Sequence, residues 1–202
     1  MSEAYFIKEQ AGQGPAAPTF VLLHGTGGDE NQFFNLGRQL LSRARLVAIR
    51  GDVSEGGALR YFRRTGEGVY DMDDLAARTE KMAGFLAGLA SEGPLIGLGY
   101  SNGANILASV MMADPELFEA AVLMHPLIPW KPEPVEGLAE RRVLITAGRR
   151  DPICPAPLTQ ALGDWFTGQG ATAEIAWHEG GHEIVQSELA AIAGFVERYR
   201  DG

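Results

Sequence analysis

The feature that most constrains the fold is an alternation of short apolar runs with longer helical segments along nearly the whole sequence. The runs are 19–24 (TFVLLH), 46–50 (LVAIR), 95–100 (LIGLGY), 121–125 (AVLMH), 143–147 (VLITA) and 173–178 (AEIAWH). Most of them are too apolar for half-exposed strands and predict strands that are covered on both faces. Because helical segments separate them, we predict right-handed βαβ units and a mostly parallel sheet with helices on both faces.

Capping residues and apolar periodicity predict where the helices lie. The predicted segments are residues 30–42, 71–92, 102–113 and a last helix from about Ser187. In the second segment Asp71 is a candidate N-cap, and Asp73 and Asp74 complement the dipole of the first turn. The last helix places four residues on one face at helical spacing: Leu189, Ile192, Val196 and Tyr199. Residues 4–9 are a candidate edge strand.

Length, charge and cysteine usage restrict the class of protein. A chain of 202 residues with no long linker is predicted to form a single domain over 1–202. The lone cysteine excludes an internal disulfide and favours a reducing compartment. The N-terminus has no signal-peptide pattern, and no apolar stretch reaches the roughly 18 residues of a membrane span. The net charge of −9 argues against binding to nucleic acid or anionic lipid. We therefore expect a cytoplasmic protein, either a monomer or a homodimer.

Residues 99–103 (GYSNG) form a G-x-S-x-G pattern between a predicted strand and a predicted helix. In a nucleophile elbow the serine lies on a sharp strand-to-helix turn, and the flanking glycines allow a close approach that side chains would block. The helix N-terminus also favours a developing anion at this point. The pentapeptide alone also fits an ordinary glycine-rich turn, but the strand before it and the helix after it favour Ser101 as a nucleophile.

A serine nucleophile needs a base and an acid, which follow it in that fold in the order Ser, acid, His. Among the later aspartates, only Asp151 follows a buried strand within a few residues, although a turn residue before Pro152 is the alternative. Only His178 and His182 come after Asp151. We predict His182 as the base, because Gly180 and Gly181 allow its loop to bend inward, and we interpret His178 and His125 as structural residues.

The glycine-rich segment 23–30 (LHGTGGDE) leaves an early buried strand where this fold places its oxyanion loop. Preorganised donors are needed there, because each contributes about 3–4 kcal/mol to transition-state stabilisation. We predict the backbone N–H groups of Thr26 and Asn102 as these donors. A phosphate-binding loop is the alternative, but the segment lacks both G-x-G-x-x-G and Gly-Lys-Ser/Thr.

Residues 178–182 (HEGGH) match the H-E-x-x-H pattern of zinc peptidases. That chemistry needs both histidines on one helical face. Here the pattern follows a strand-like run, and each of its two adjacent glycines would cost a helix about 1 kcal/mol. We therefore predict neither a metal nor a cofactor.

Together the motifs LLHGTGGDE, GYSNGA, Asp151-Pro152-Ile153 and GGHE resemble the phospholipase/carboxylesterase branch of the α/β-hydrolases over nearly the whole chain. The resemblance implies an α/β-hydrolase fold without a separate cap domain. It also implies a Ser101–Asp151–His182 triad with Thr26 and Asn102 around the oxyanion. Acyl-protein thioesterases instead resemble G-F-S-Q-G-G and H-G-L-G-D, so the sequence is more similar to small bacterial serine esterases. The related dienelactone hydrolases use a cysteine nucleophile, whereas Cys154 is not at the elbow and is interpreted as a small apolar residue.

The resemblance implies a serine carboxylesterase that acts on small carboxylic esters through an acyl-enzyme on Ser101. Thioesterase or lysophospholipase activity, or a non-catalytic binding protein with this fold, stays as an alternative. Three residues are candidates to line an acyl pocket, although each of them can equally be a residue that only packs against the core: Phe62, Trp130 and Ile153. Three arginines, Arg60, Arg63 and Arg64, either meet an anionic substrate or form a solvated face.

Overall fold

The computed structural model of the chain describes residues 4–89 and 92–200. The strands are β1 (Ile7–Gln10), β2 (Thr19–Leu23), β3 (Arg45–Ile49), β4 (Val53–Glu55), β5 (Ala58–Arg60), β6 (Arg64–Gly66), β7 (Val69–Tyr70), β8 (Leu95–Tyr100), β9 (Ala120–Met124), β10 (Arg142–Gly148) and β11 (Thr172–His178). The helices are α1 (Phe34–Leu40), α2 (Met72–Ala87), α3 (Asn102–Ala113), α4 (Ala156–Gly168) and α5 (Gln186–Val196), and a 3₁₀ turn follows at Glu197–Tyr199.

The central sheet of the described residues has seven strands in the order β1-β3-β2-β8-β9-β10-β11. Every neighbouring pair is parallel except β1 and β3, which are antiparallel. The predicted edge strand at residues 4–9 is therefore present, displaced to Ile7–Gln10. The mostly parallel α/β fold predicted from the alternation of runs and helices is confirmed.

The inner strands of the sheet are almost entirely apolar because both faces are covered there, whereas the edge strands β1 and β11 are only partly buried. Along β2, Val21 and Leu23 belong to one core cluster, whereas Phe20 and Leu22 belong to the other. Helices α2, α3 and α4 cover the first face, and α1 and α5 cover the second. Alternate side chains of a strand point to opposite faces, so in a strand that is covered on both sides nearly every side chain is buried and favours an apolar residue.

Several predicted boundaries differ from the structure. The first helix covers only Phe34–Leu40, because Asp29 Oδ1 accepts the N–H of Asn31 (2.8 Å) and sets a turn that competes with a helix. The second begins as predicted, with the Asp71 side chain accepting the N–H of Asp74, but it ends at Ala87 before Gly88. The predicted end at Glu92 is wrong, and residues 90–91 within that stretch lie outside the described residues. The sequence prediction gave no bounds for α4 and missed the two hairpins, β4–β5 and β6–β7, between residues 53 and 70.

The carboxyl ends of the parallel strands meet along one edge of the sheet. Leu23 pairs with Gly99, Tyr100 with Met124 and Gly148 with His178. Loops that leave neighbouring strand ends are therefore close in space, although their residues are far apart in the sequence. Among residues 4–89 and 92–200, no helix combines the length and the hydrophobicity that a membrane crossing needs.

Candidate active site

Ser101 lies on the sharp turn between β8 and α3 with φ = 51° and ψ = −114°. A positive φ is strained for a residue with a side chain, and such strain is concentrated at functional sites. The flanking glycines permit the turn: a Cβ on Gly99 would collide with the carbonyl of Gly103, and one on Gly103 would lie 2.5 Å from the carbonyl oxygen of His24. The close approach predicted from the G-x-S-x-G spacing is confirmed.

The structure brings Ser101, His182 and Asp151 together from three separate loops. The hydroxyl of Ser101 lies 3.0 Å from His182 Nε2, and His182 Nδ1 lies 2.7 Å from Asp151 Oδ2. With the proton of a neutral His182 ring on Nδ1, that nitrogen donates to Asp151 and Nε2 accepts the hydroxyl proton. This arrangement can activate a hydroxyl as a nucleophile.

Asp151 is buried and receives hydrogen bonds on both carboxylate oxygens. Its Oδ1 accepts the backbone N–H groups of Ile153 (2.8 Å) and Cys154 (3.0 Å). Burial alone would raise the pKa of Asp151, but the hydrogen bonds outweigh it and hold the pKa below its usual value. Asp151 is therefore a carboxylate that can orient an imidazole and stabilise its cation.

The loop that carries His182 is held against the strand that precedes Asp151. A Cβ on Gly148, the last residue of β10, would lie 2.5 Å from the carbonyl oxygen of Gly180. Tyr100 Oη donates a hydrogen bond of 2.7 Å to the carbonyl of His182, and the two rings lie 5.4 Å apart. These contacts fix the histidine loop next to the elbow.

Thr26 and Asn102, the predicted oxyanion donors, both line the cavity that contains Ser101. Asn102 is the first residue of α3, where backbone N–H groups have no intrahelical acceptor. Its side-chain Oδ1 accepts the N–H of Tyr61 (2.8 Å), which fixes the orientation of the side chain. Thr26 Oγ1 accepts a hydrogen bond of 2.9 Å from Arg60 Nη1, which anchors the loop.

The cavity next to Ser101 is small, about 40 Å³, and is lined by polar and apolar groups in similar measure. Its lining comprises Thr26, Arg60, Arg64, Glu67, Gly68, Tyr70, Ser101, Asn102, Asn105, Leu127, Ile153 and Cys154. Arg60 is nearly fully buried and its pKa is lowered by burial. Within the described part of the chain, Arg60 and Arg64 share one carboxylate partner, Glu55, at 3.3 and 3.1 Å. Two guanidinium groups thus face the site, with Glu67 as the acidic residue of the lining.

The predicted pocket residues do not all reach this cavity. Ile153 lines it, whereas Phe62 is fully buried in the core against Tyr70, with ring centroids 4.8 Å apart. Trp130 lies in two apolar clefts instead, one of them against α2. Phe62 and Trp130 are therefore packing residues in this structure. Arg63 also points away, since it pairs with Asp71 and Asp74 at 3.3 and 3.4 Å.

Sequence reasoning missed four residues close to the site. Tyr70 and Asn105 line the cavity and are joined by a hydrogen bond of 2.8 Å. His125, interpreted from the sequence as structural, has Nδ1 2.9 Å from the same Asp151 oxygen that His182 contacts, and Glu188 lies behind it. His125 directly follows β9 at the carboxyl edge of the sheet, which is a usable sequence signal. Glu188, inside α5, offers none.

The H-E-x-x-H pattern does not lie on a helix. His178 ends β11 and His182 lies in the loop that follows. Potential ligand atoms do converge within 4.8 Å in two overlapping groups: His125, Asp151 and His182, and His125, His178 and Glu188. In the second group Glu188 lies between the two imidazoles, 2.9 Å from His125 Nε2 and 3.4 Å from His178 Nε2.

Comparison with known proteins places the chain among hydrolases. Residues 63–189 match the dienelactone hydrolase family. The protein MhqD of Bacillus subtilis (strain 168) is 37% identical over 181 residues, which cover 87% of this chain and 90% of MhqD.

Solved structures with the same fold extend the comparison. The protein Atu2452 from Agrobacterium tumefaciens strain C58, of unknown function, is 58% identical with a TM-score of 0.93. The match covers 96% of this chain and 97% of the Atu2452 chain. A Bacillus cereus carboxylesterase is 32% identical with a TM-score of 0.90, and the match covers 96% of this chain and 94% of that enzyme. A structure of YahD with malic acid is 26% identical with a TM-score of 0.86, covering 97% of this chain and 100% of YahD. These similarities agree with the α/β-hydrolase fold predicted from the sequence and support hydrolase activity.

Proposed function

The chain belongs to the dienelactone hydrolase family, and from this premise we propose that it is a serine carboxylesterase of small carboxylic esters. The observation that carries the proposal is the geometry at Ser101. Its hydroxyl stands on a strained elbow, 3.0 Å from an imidazole that a buried carboxylate orients. A carboxylesterase among the similar structures supports the reaction class.

In the proposed reaction Ser101 Oγ attacks the ester carbonyl carbon while His182 Nε2 takes its proton. Asp151 stabilises the imidazolium, and the backbone N–H groups of Thr26 and Asn102 stabilise the oxyanion. His182 then returns the proton to the leaving alcohol, which leaves an acyl-enzyme on Ser101. Water attacks this ester with His182 as the base, which releases the carboxylic acid and regenerates free Ser101.

Cysteine chemistry is not favoured, although it occurs in the family. Cys154 is 1% exposed, and its thiol donates to the carbonyl of His125 at 3.1 Å. Burial raises the pKa of the Cys154 thiol well above its usual value, so the group stays protonated. A buried, protonated thiol that already donates to a backbone carbonyl is a packing group and not a nucleophile.

The cavity supports a small and polar substrate. A volume of about 40 Å³ beside Ser101 favours a short acyl group over the long chain of a thioester or lysophospholipid. Arg60 and Arg64 share one carboxylate partner, so a carboxylate on the substrate would give them a second. The malic acid of the YahD structure is a dicarboxylate of this kind. We therefore propose esters or lactones that carry a carboxylate as the preferred substrates.

The test is hydrolysis of p-nitrophenyl esters from acetate to palmitate, with Ser101→Ala alongside. We expect turnover that is highest for short chains and a loss of roughly 10⁴–10⁶ in kcat for the variant. A long-chain optimum would support the thioesterase or lysophospholipase alternative. A loss of less than about tenfold would remove Ser101 from the mechanism. No turnover on any ester, together with no labelling by a fluorophosphonate, would favour a binding protein.

A further inference from the structure

A second histidine–carboxylate pair lies directly behind the catalytic acid. Asp151 Oδ2 is 2.7 Å from His182 Nδ1 and 2.9 Å from His125 Nδ1. On its other side, His125 Nε2 is 2.9 Å from Glu188 Oε1. The side chains of Asp151 and His125 are 0% exposed and that of Glu188 is 1% exposed. Ser101, His182, Asp151, His125 and Glu188 thus form one continuous chain of contacts.

The contacts determine where the protons lie. His178 Nδ1 accepts the N–H of Gly180 at 3.0 Å, so the proton of a neutral His178 ring is on Nε2, which faces Glu188 at 3.4 Å. Glu188 Oε2 also accepts the N–H of Val185 at 2.8 Å. Glu188 thus accepts one backbone N–H and has an imidazole nitrogen on each side within 3.4 Å, although neither imidazole contact has the geometry of a hydrogen bond; these surroundings favour an ionised carboxylate.

A His125 ring that carries a proton on each nitrogen is attracted by both neighbouring carboxylates. Burial alone would favour the neutral ring, but the contacts with Glu188 and Asp151 outweigh it and raise the pKa of His125. Burial likewise opposes the charge on Glu188, and the contact with His125 outweighs it and lowers the pKa of that carboxyl. The buried cluster thus has the charge order minus, plus, minus.

The backbone at His125 is strained as well. Its φ is 49°, one of three positive values at non-glycine residues in the described ranges, and another is that of Ser101. The N–H of His125 donates to the carbonyl of Thr146 at 2.8 Å, and its carbonyl accepts the Cys154 thiol. Strain that the surroundings enforce at a buried titratable side chain points to a role beyond packing.

We propose that His125 and Glu188 are positioning residues that fix the Asp151 carboxylate and extend the activity of the enzyme to lower pH. The proposal rests on the esterase mechanism above. The imidazolium of His125 holds Asp151 Oδ2 in place toward His182. It also opposes a second positive charge on the His182 ring, whose centroid is 5.1 Å away.

Apart from Asp151 and Glu188, the titratable groups that face His125 contribute no close negative charge. The ring of Tyr100 lies 5.8 Å away and that of His178 5.5 Å away. Burial raises the pKa of Tyr100 to about 12, so its phenol is neutral. The Cys154 thiol is also neutral, and Glu183 adds a carboxylate at longer range. Glu188 is thus the group whose removal most directly changes the charge on His125.

The test is the pH profile of kcat/KM for Glu188→Gln. The amide oxygen still accepts the N–H of Val185, but the negative charge that holds the His125 proton is gone. We expect the acid limb to move up by about one pH unit, as for charges roughly 5 Å apart in a partly buried site. His125→Gln should move it in the same direction, and the double variant should move it no further. Glu197→Gln, an exposed carboxylate just after α5, is the matched control and should leave the profile unchanged.

A purely structural pair would change the urea midpoint and leave the acid limb where it is, and that result would overturn the proposal. If either variant fails to fold, ¹⁵N chemical shifts of the imidazoles in the wild type decide. Both ring nitrogens of His125 should be protonated at pH 7, and a neutral ring would overturn the proposal. Stoichiometric zinc in the purified protein that Glu188→Gln removes would also overturn it. Loss of activity in Ser101→Ala tests the esterase mechanism separately, so the two failures are distinguishable.

Discussion

Replacing Asp151 by asparagine keeps the shape of the side chain but removes its charge and one acceptor. In the structure four N–H donors converge on this carboxylate: two imidazoles at 2.7 and 2.9 Å, and two backbone amides at 2.8 and 3.0 Å. An asparagine oxygen can accept on one side only, so its NH₂ group faces donors on the other. If the NH₂ group meets His182, the ring must move its proton to Nε2, and that nitrogen can no longer accept the proton of Ser101.

We expect kcat to fall about 10⁴-fold, which corresponds to roughly 5 kcal/mol of transition-state stabilisation. The free energy of unfolding should fall by about 3–5 kcal/mol at pH 7, because His125 loses one of its two buried anionic partners. Asp164→Asn is the matched control, since Asp164 lies on the surface of α4 and contacts Gln160.

Esterase kinetics and urea unfolding at pH 7 measure both effects for Asp151→Asn and for the control. A variant that is folded and retains more than a tenth of the wild-type kcat would refute the assignment of Asp151 as the acid. Equal losses in Asp164→Asn would show that the effect is not specific to the buried carboxylate.

Three further predictions follow from the site. Gly103→Ala should lower the free energy of unfolding by about 1–3 kcal/mol or more, because its Cβ would lie 2.5 Å from the carbonyl oxygen of His24; an unchanged urea midpoint would contradict this. Arg64→Met should lower kcat/KM for carboxylate-bearing esters about fivefold relative to neutral esters. Arg63→Met is the control and should not change this ratio, because the Arg63 side chain points away from the cavity. Equal ratios in the two variants would contradict a contact between Arg64 and the substrate. Cys154 should react with iodoacetamide only when the protein unfolds, as followed by mass spectrometry, and rapid labelling of the native protein would show that the thiol is accessible.

The fold could be predicted because its signal is local and repeated. Most of the apolar runs are strands buried on both faces, and the helical segments between them require that the strands be mostly parallel. The start of α2 could also be predicted, because Asp71 directly precedes the helical pattern and caps the helix. The short hairpins at residues 53–70 have no such signal, because strands of two or three residues show no periodicity.

Chain order and local context predicted Ser101, Asp151 and His182 as neighbours, and the structure brings these side chains within hydrogen-bonding distance. The apolar candidates were harder to place, because an aromatic residue in a loop can point inward or outward. The side chain of Phe62 lies in the core, whereas that of Arg60 lines the cavity. The contact of Glu188 with His125 depends on how α5 docks, which no pattern in the sequence encodes.

The most direct test of the account is to locate the covalent adduct of a fluorophosphonate probe by mass spectrometry of the native protein. The mechanism predicts one adduct per chain, on the peptide that contains Ser101, formed rapidly in the wild type and slowly in Asp151→Asn. Ser101→Ala should not be labelled. An adduct on another residue, or no adduct on a protein that hydrolyses esters, would contradict the assignment of Ser101 as the nucleophile.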